Sequence, residues 1–347
     1  MKRPTIRDVA VRAGVSHQTV SRVINGDRRV APATGDRVLA AIRELDYEPN
    51  AIARSLSSNR THTLGVVTYN VSEYALGQTV AGAEAEARRH GYFLFVGSVA
   101  DAADEGDELA YLRLMLNRRV EGLILDWPTL RTSNDRSLAE VSSRMPLVAI
   151  AADLQLPGVQ VVDIDNRRGG CEATAFLIAQ RHRAIATITG PLAWNAAEAR
   201  LQGYYEALSA NGITTFPALV HAAGEWGPEG GQIATEHLLA SGIGFTAIFA
   251  QSDLLALGAM TAIRARGLRV PEDISIIGYD DIPVASFLDP PLTTVHQPIR
   301  ELGALAAKLL IESIAQRQSG EAANVDHHLL LPNVVVRNSV SERPTES

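Results

Sequence analysis

Two groups of residues in this chain could do chemistry, and they suit different partners. The first is a polar face in "AGVSHQTVSRVIN", residues 13–25, where His17, Gln18 and Arg22 fall on one side of a helical period. Glutamine can bond adenine N6 and N7 together, arginine can bond guanine O6 and N7, and histidine can donate to guanine N7 or touch a thymine methyl. Thr19, Ser21 and Asn25 are short donors suited to phosphate oxygens. The second group follows apolar runs: Glu73 and Ala75 after "TLGVVT", Asp126 and Trp127 after "GLIL", and Asp280 after "IIGY", with Arg200 near the start of the helix after "ITGP", Trp226 in a Gly-rich loop, "GEWGPEGG", and Gln297 in a crossover segment. Carboxylate, guanidinium and amide groups bond ring hydroxyls, and an aromatic face covers the apolar side of a pyranose.

The first group needs a small helical scaffold. Thr5 can cap a helix, with Asp8 closing a capping box, and Ile6, Val9, Ala10 and Ala13 follow at helical spacing. Gly14 breaks that helix, Ser16 caps the next, and Val20, Val23 and Ile24 form its inner face before Asn25-Gly26 stops it. Two short helices joined through a glycine turn make a helix-turn-helix. A third helix is predicted from about Pro32 to Leu45, with Val38, Leu39, Ile42 and Leu45 as its buried stripe. Pro49 ends what precedes it. Asn50 can then cap a short segment, 51–57, that holds little but Ile52 and Leu56 to bury, so it should fold only against a partner.

Charge separates this head from the remainder. Residues 1–60 carry eleven Lys/Arg against six Asp/Glu, a net +5, whereas the rest holds 21 against 33, a net −12. A basic head on an acidic body suggests an anionic partner for the head alone.

The second group needs parallel sheets. Apolar runs at 63–68, 92–99, 122–127, 147–151 and 159–165 alternate with amphipathic helices, and the rhythm restarts at 184–190, 247–250 and 274–280. Alternating strands and helices imply α/β architecture with buried parallel strands. Ligands in such sheets bind beyond the carboxyl ends of strands, where the second group falls. Taken singly, each residue has a plainer role: Trp226 as a core plug, Arg200 as a surface ion pair, Asp126 and Asp280 as turn residues.

The stretches "TIRDVAVRAGVSHQTVSRVIN", "LDYEPNAIARSL", "GYDDIP" and "PPLTTVHQP" resemble the lactose/galactose repressor family of bacterial transcription regulators, over residues 4–338. The resemblance implies an all-α helix-turn-helix DNA-binding domain at 1–49 and a hinge helix and linker at 50–61. It further implies a periplasmic-binding-protein-like effector domain at 62–340 and a tail at 341–347. That domain is expected to be α/β, with two doubly wound parallel-sheet lobes, the first at about 62–163 and 296–322, the second at about 164–293 and 324–340. The family pattern implies a homodimer on near-palindromic double-stranded DNA, with His17, Gln18 and Arg22 reading bases and Leu56 wedged in the minor groove. Thr5, Ser16, Thr19, Ser21, Asn25, Thr34, Tyr47, Asn50 and Arg54 are the expected phosphate contacts. Arg200, Trp226, Asp280 and Gln297 stand where members contact effectors, and Asp253 either joins them or caps the next helix instead. Leu76, Thr79, Ala196 and Ser252 complete the expected effector set with Glu73, Ala75, Asp126 and Trp127.

The chain departs from the family pattern in places. Gly35 and Ala31 replace a better helix former and a better cap, which should weaken the third helix by about 1 kcal/mol for the glycine. Ala151, Ala196 and Ser252 stand where galactoside-sensing members carry contacting side chains, so a different neutral mono- or disaccharide is expected.

An enzyme is the first rival, and no HExxH, GxSxG, helix-opening GxGxxG or Walker lysine is found. His327-His328 lies in an apolar strand-like run, and Cys171, the single cysteine, reads as a small hydrophobe. No metal or cofactor is expected. A transport-type sugar receptor is the second rival. The basic head and the missing h-region in "MKRPTIRDVAVRAG" argue against it and for a cytoplasmic, nucleoid-associated protein without a membrane span.

Overall fold

The computed structural model describes residues 4–24, 27, 29–47, 60–99, 105–128, 135–150, 158–321 and 326–343. The expectations for Asn25, Asn50, Arg54, Leu56 and Ala151 lie outside these residues. The chain forms two compact units, Met1–His62 and Thr63–Ser347.

The first unit contains helices α1 (Ile6–Ala13), α2 (His17–Ile24) and α3 (Pro32–Glu44). The expected start signals are formed. The Asp8 N–H donates to Thr5 Oγ1, the Thr5 N–H donates back to Asp8 Oδ2 at 2.8 Å, and Gly14 closes α1 at φ 67°. That left-handed backbone is what a glycine supplies without strain. Ser16 Oγ accepts from the Thr19 N–H at 3.1 Å and starts α2. Val9, Ala10, Ala13, Val20, Val38 and Ala41 make the buried core. The stripe expected on α3 is shifted by one member: Leu39 is 44% exposed, and Ala41 is buried in its place. Val38, Ala41, Ile42 and Leu45 follow the i, i+3, i+4, i+7 spacing of one face, and Leu39 lies off it.

Ala31 leaves the start of α3 without a side-chain cap, and a Cβ added at Gly35 would meet nothing within 4 Å. Gly35→Ala should therefore raise the stability of the head by about 1 kcal/mol through helix propensity alone. Thermal melts of the head followed by helical circular dichroism test this, and an unchanged or lower midpoint would reject it.

The second unit holds two parallel sheets. The larger is built from β1 (Thr63–Tyr69), β2 (Phe93–Val99), β3 (Gly122–Asp126), β4 (Leu147–Ile150), β5 (Gln160–Ile164) and β11 (His327–Leu330), in the order β11-β5-β4-β3-β1-β2. The smaller is built from β6 (Ile185–Thr189), β7 (Val220–Ala222), β8 (Ala247–Ala250) and β9 (Ser275–Ile277), in the order β7-β6-β8-β9. A third, two-stranded pair joins β10 (Thr294–His296) and β12 (Asn333–Val335) antiparallel. The inner strands of both large sheets are buried on each face. In β3, Leu123 and Leu125 enter one core and Ile124 the other; in β8, Ile248 and Phe249 divide in the same way. Period-two alternation between two apolar faces turns the strands into continuous apolar runs.

The lobe boundary near the carboxyl end differs from expectation. Residues 324–340 were assigned to the second lobe, yet β11 pairs with β5 in the first lobe's sheet, and only β12 crosses over. Pro332 is the physical reason. It cannot donate to a ladder, so the apolar run "HHLLLPNVVV" breaks into two strands that join different sheets.

Helices α4 (Tyr74–Arg89), α5 (Glu105–Asn117), α6 (Asp135–Arg144) and α11 (Ile299–Ser319) belong to the first lobe. The second has α7 (Asn166–Ala179), α8 (Asn195–Ala210), α9 (Pro228–Ala240) and α10 (Asp253–Ala265). Three helix pairs touch backbone to backbone through reciprocal glycines. A Cβ at Gly203 of α8 would lie 2.0 Å from Arg167 O of α7, and one at Gly170 of α7 would lie 2.2 Å from Arg200 O of α8. Gly231 and Gly258 hold α9 against α10 in the same way, and Gly82 and Gly303 hold α4 against α11. Thr174 and Thr235 sit four residues after Gly170 and Gly231 and bond back to their carbonyls, both at 2.8 Å. The "GPEGG" stretch read as loop opens α9, and of its three glycines Gly231 is the one on which α10 lies.

Candidate functional site

In the head, His17, Gln18 and Arg22 are exposed on the outer face of α2. Several expected phosphate donors are already engaged. The Thr5 hydroxyl donates to Asp8 at 2.7 Å, and the Ser16 and Thr19 hydroxyls share one hydrogen bond of 2.9 Å. Thr34 is half-buried in the first turn of α3, and the Tyr47 ring packs on the head core.

In the body, one cavity of about 150 Å³ opens between the carboxyl ends of the two sheets' strands. Twelve of the thirteen expected effector residues line it: Glu73, Ala75, Leu76, Thr79, Asp126, Trp127, Ala196, Arg200, Trp226, Ser252, Asp280 and Gln297. The first lobe brings Asp126 and Trp127 on the end of β3 and the residues from Glu73 to Thr79 on the start of α4. The second brings Arg200 on α8, Trp226 before α9, and Asp280 after β9.

Arg200 is the centre of the second wall. It is 5% exposed, and its guanidinium lies 3.8 Å from the centroid of the fully buried Tyr279 ring. Nε donates to Asn166 Oδ1 at 2.8 Å, Nη1 to the Gln251 carbonyl at 2.6 Å, and Nη2 to Gln297 Oε1 at 3.4 Å. Three of its five N–H groups are thus engaged within the protein. The α7–α8 glycine contact fixes its Cα, so both ends of the side chain are held.

Asp280 is reached through unusual backbone. It has φ 113° and Asp281 φ 56°, conformations that side-chain-bearing residues rarely adopt. Such strain persists only where the surroundings impose it. The Asp281 carboxylate is gripped by Arg337 at 2.6 Å and His296 at 3.1 Å, and the Asp280 N–H donates to the Val295 carbonyl at 2.8 Å. The Asp280 carboxylate then accepts from Gln297 Nε2 at 2.6 Å and lies 3.9 Å from Arg200. Burial pushes its pKa up, and Arg200 pulls it back only partly.

Asp253 is the expected effector residue outside the cavity. It is 1% exposed, and its carboxylate accepts from the Ile282 N–H at 2.8 Å and the Thr294 hydroxyl. It holds the strained 280–282 turn in place, and neighbouring Ser252 caps α10 in its stead. The Ser252 hydroxyl also donates to the Trp226 carbonyl at 3.1 Å.

Sequence reasoning missed Trp194 and Asp163, which also line the cavity. Trp194 stands edge-on between Tyr69 at 5.3 Å and Trp226 at 5.6 Å, and the Trp226 ring lies where a side chain at Gly190 would be. The signal for Trp194 was available, because it follows β6 at a strand's carboxyl end. Cys171 is only half-buried, beside the second-lobe core.

Asp126 is buried, and Oδ2 has no hydrogen-bond partner among the described residues. Burial, reinforced by Asp163, pushes its pKa up to about 7 from 3.8. A carboxyl raised in the fold contributes most stability when protonated, and that contribution is lost as pH rises from the unfolded pKa to the folded one. Asp126→Asn removes this loss. The stability difference between the variant and the parent should therefore shift in the variant's favour by about 2 kcal/mol from about pH 5.5 to about pH 7.5. Urea melts at both pH values measure it, and parallel profiles would contradict the assignment.

Comparison with known proteins fits both units. Residues 5–50 match the model for bacterial regulatory proteins of the lacI family, and residues 174–340 match a periplasmic binding protein-like domain. The chain is 37% identical to the HTH-type transcriptional repressor PurR of Pasteurella multocida, over 98% of this chain and 99% of that one. It is 39% identical to the ribose operon repressor of Escherichia coli, over 90% and 93%. Its structure is similar to a lac repressor dimer bound to operator and the anti-inducer ONPF, with a TM-score of 0.84, 32% identity and 98% and 100% coverage. A CelR–cellobiose complex matches with a TM-score of 0.72, 36% identity and 97% and 100% coverage.

The chain belongs to the LacI family of bacterial regulatory proteins. It is a transcriptional repressor with a helix-turn-helix DNA-binding head and a ligand-binding body. Repressors of this family bind operator DNA and a small-molecule effector and form dimers. Among the described residues no helix is long and apolar enough to cross a membrane, and no cluster of His, Cys, Asp and Glu could hold a metal ion.

Proposed function

We propose that this repressor controls carbohydrate-utilisation genes in the cytoplasm, without catalysis, and that a small sugar in the cavity changes its operator affinity. The observation that carries this reading is the cavity's make-up: indole walls with carboxyl, guanidinium and amide anchors, gathered beyond the carboxyl ends of the strands. A ribose operon repressor and a cellobiose-bound regulator among its relatives support it.

In this reading the repressor is a homodimer on a near-palindromic operator, with His17, Gln18 and Arg22 at base edges. Leu56 from each 51–57 segment enters the minor groove and kinks the duplex. Sugar closes the cleft and turns the first lobes, the 51–57 segments separate, and the operator is released. Such coupling requires the sugar to bind one state better than the other.

Operator binding at several salt concentrations tests the head, and affinity should fall steeply with log salt. Gln18→Ala should cost about 1–3 kcal/mol and relax preference at one base pair. A loss that is uniform over all sequences would make Gln18 a phosphate contact instead. A thermal-shift screen of sugars, followed by operator release with any hit, tests the body.

A further inference from the structure

Helix α8 begins against the other lobe. Its N-cap position is held by Trp194, whose side chain makes no cap. A short polar residue there would bond an orphan N–H of the first turn. The first of those groups, the Asn195 N–H, donates instead to the Pro128 carbonyl at 3.0 Å. Pro128 follows β3 in the first lobe and Asn195 opens α8 in the second, so this main-chain bond spans the cleft.

The Trp194 ring makes a second contact between the lobes. It meets Tyr69, the last residue of β1, with centroids 5.3 Å apart and planes at 89°. That is the edge-to-face arrangement in which ring quadrupoles attract. The Trp226 ring stands 5.6 Å from the same indole at 65°, and the Arg200 guanidinium lies 5.3 Å from the centroid of Trp226. A row of side chains thus runs from Tyr69 in the first lobe, through two indoles, to the arginine at the centre of the second wall. Tyr74, at the start of α4, adds apolar contact by packing against the cores of both lobes.

We infer that Trp194 is a positioning residue and that, together with the Asn195–Pro128 bond, it forms a clasp between the lobes. With the lobes together, Tyr69 sets the Trp194 ring, and Trp194 sets Trp226 against Arg200. The effector wall is then complete only in the clasped arrangement, whatever small molecule the cavity takes. The clasp is made by the chain itself, so it is tested without ligand and apart from the sugar reading.

Two substitutions open it from opposite sides. Tyr69→Leu keeps apolar bulk and removes the ring. Asn195→Pro removes the N–H, and Asn195→Ala, which keeps the N–H, controls for the lost side chain. Proline is accepted at the first helical position. Trp194, at φ −87° and ψ 130°, already has the extended backbone required of a residue before proline. All three tryptophans of the chain, Trp127, Trp194 and Trp226, line the cavity, so tryptophan emission reports on the cleft. Acrylamide quenching of the full chain should rise by about twofold or more in Tyr69→Leu and in Asn195→Pro, as for a local opening, and stay at the parent value in Asn195→Ala. Helical circular dichroism should be unchanged in all three. In fluorine NMR of fluorotryptophan-labelled protein, Tyr69→Leu should move the Trp226 resonance, and in a Trp194→Leu background it should no longer do so. A cycle of this kind separates coupling through Trp194 from independent effects. Parent-like quenching in both Tyr69→Leu and Asn195→Pro overturns the clasp, as does Asn195→Ala matching Asn195→Pro. A Trp226 resonance that ignores Tyr69→Leu, or follows it equally without Trp194, overturns the positioning role.

Discussion

Replacing Arg200 with alanine should abolish the effector response and weaken the fold at the same time. The side chain is 5% exposed and lies on Tyr279, and its removal strands Asn166 Oδ1, the Gln251 carbonyl and the buried Asp280 carboxyl. Breaking one side of a buried charged network costs about 3–5 kcal/mol. Effector affinity should fall by about 100-fold or more, because charge-assisted hydrogen bonds contribute about 1.5–3 kcal/mol each. Arg200→Lys separates the two losses. It keeps the charge but not the planar fork, so the body should stay folded while effector binding still drops by about tenfold. Operator release as a function of effector, beside urea melts of each variant, gives both numbers. An Arg200→Ala protein with its response intact would show that the ligand binds elsewhere.

Gly258→Ala should destabilise the body by about 2 kcal/mol, the upper overpacking cost less the gain in helix propensity, and so with the opposite sign to the same change at Gly35. In α10 the new methyl would lie 1.9 Å from the Pro228 carbonyl oxygen and 2.6 Å from the Gln232 nitrogen. Both are backbone atoms of α9, so neither can turn aside as a side chain would, and the helices must separate. Overpacking of this kind costs about 1–3 kcal/mol, occasionally more, and alanine's helix propensity returns only about 1 of that. The midpoint of urea unfolding, with circular dichroism and intrinsic fluorescence followed together, measures the change. Wild-type stability in Gly258→Ala would mean that α9 and α10 are not in backbone contact.

Local signals were the most legible part of this chain. The head could be read because its punctuation is local: a capping box at Thr5, a left-handed glycine at 14 and a serine cap at 16 act within one turn of where they stand. The sheets could be read because strands buried on both faces are uninterrupted apolar runs. What escaped reading depends on distant partners. Leu39 looks as apolar as Ala41, and only the direction of α1 and α2 decides which is covered. Gly231, in the first turn of α9, resembles a loop residue until α10 is laid across it. Asp253 carries the same side chain as Asp280 and also follows a strand, but it faces the 280–282 turn rather than the cavity. Trp194 could have been found by the strand-end rule that found Asp126, and Asp163 lies within a strand, where that rule does not look.

The glycine-to-glycine seams have a mechanical consequence. With main chain pressed on main chain in three places, each of these helix pairs has no side-chain layer at its crossing through which to yield. Any displacement between the lobes would be taken up where the chain passes between them: at Asp165, at Gln297-Pro298 and at Leu331-Pro332. Two of these swivels include a proline, whose ring stiffens one torsion. Asn166 and Gln297, which adjoin or form the first two, also line the cavity. A molecule bound in this cavity would therefore meet the crossover segments as well as the walls of both lobes.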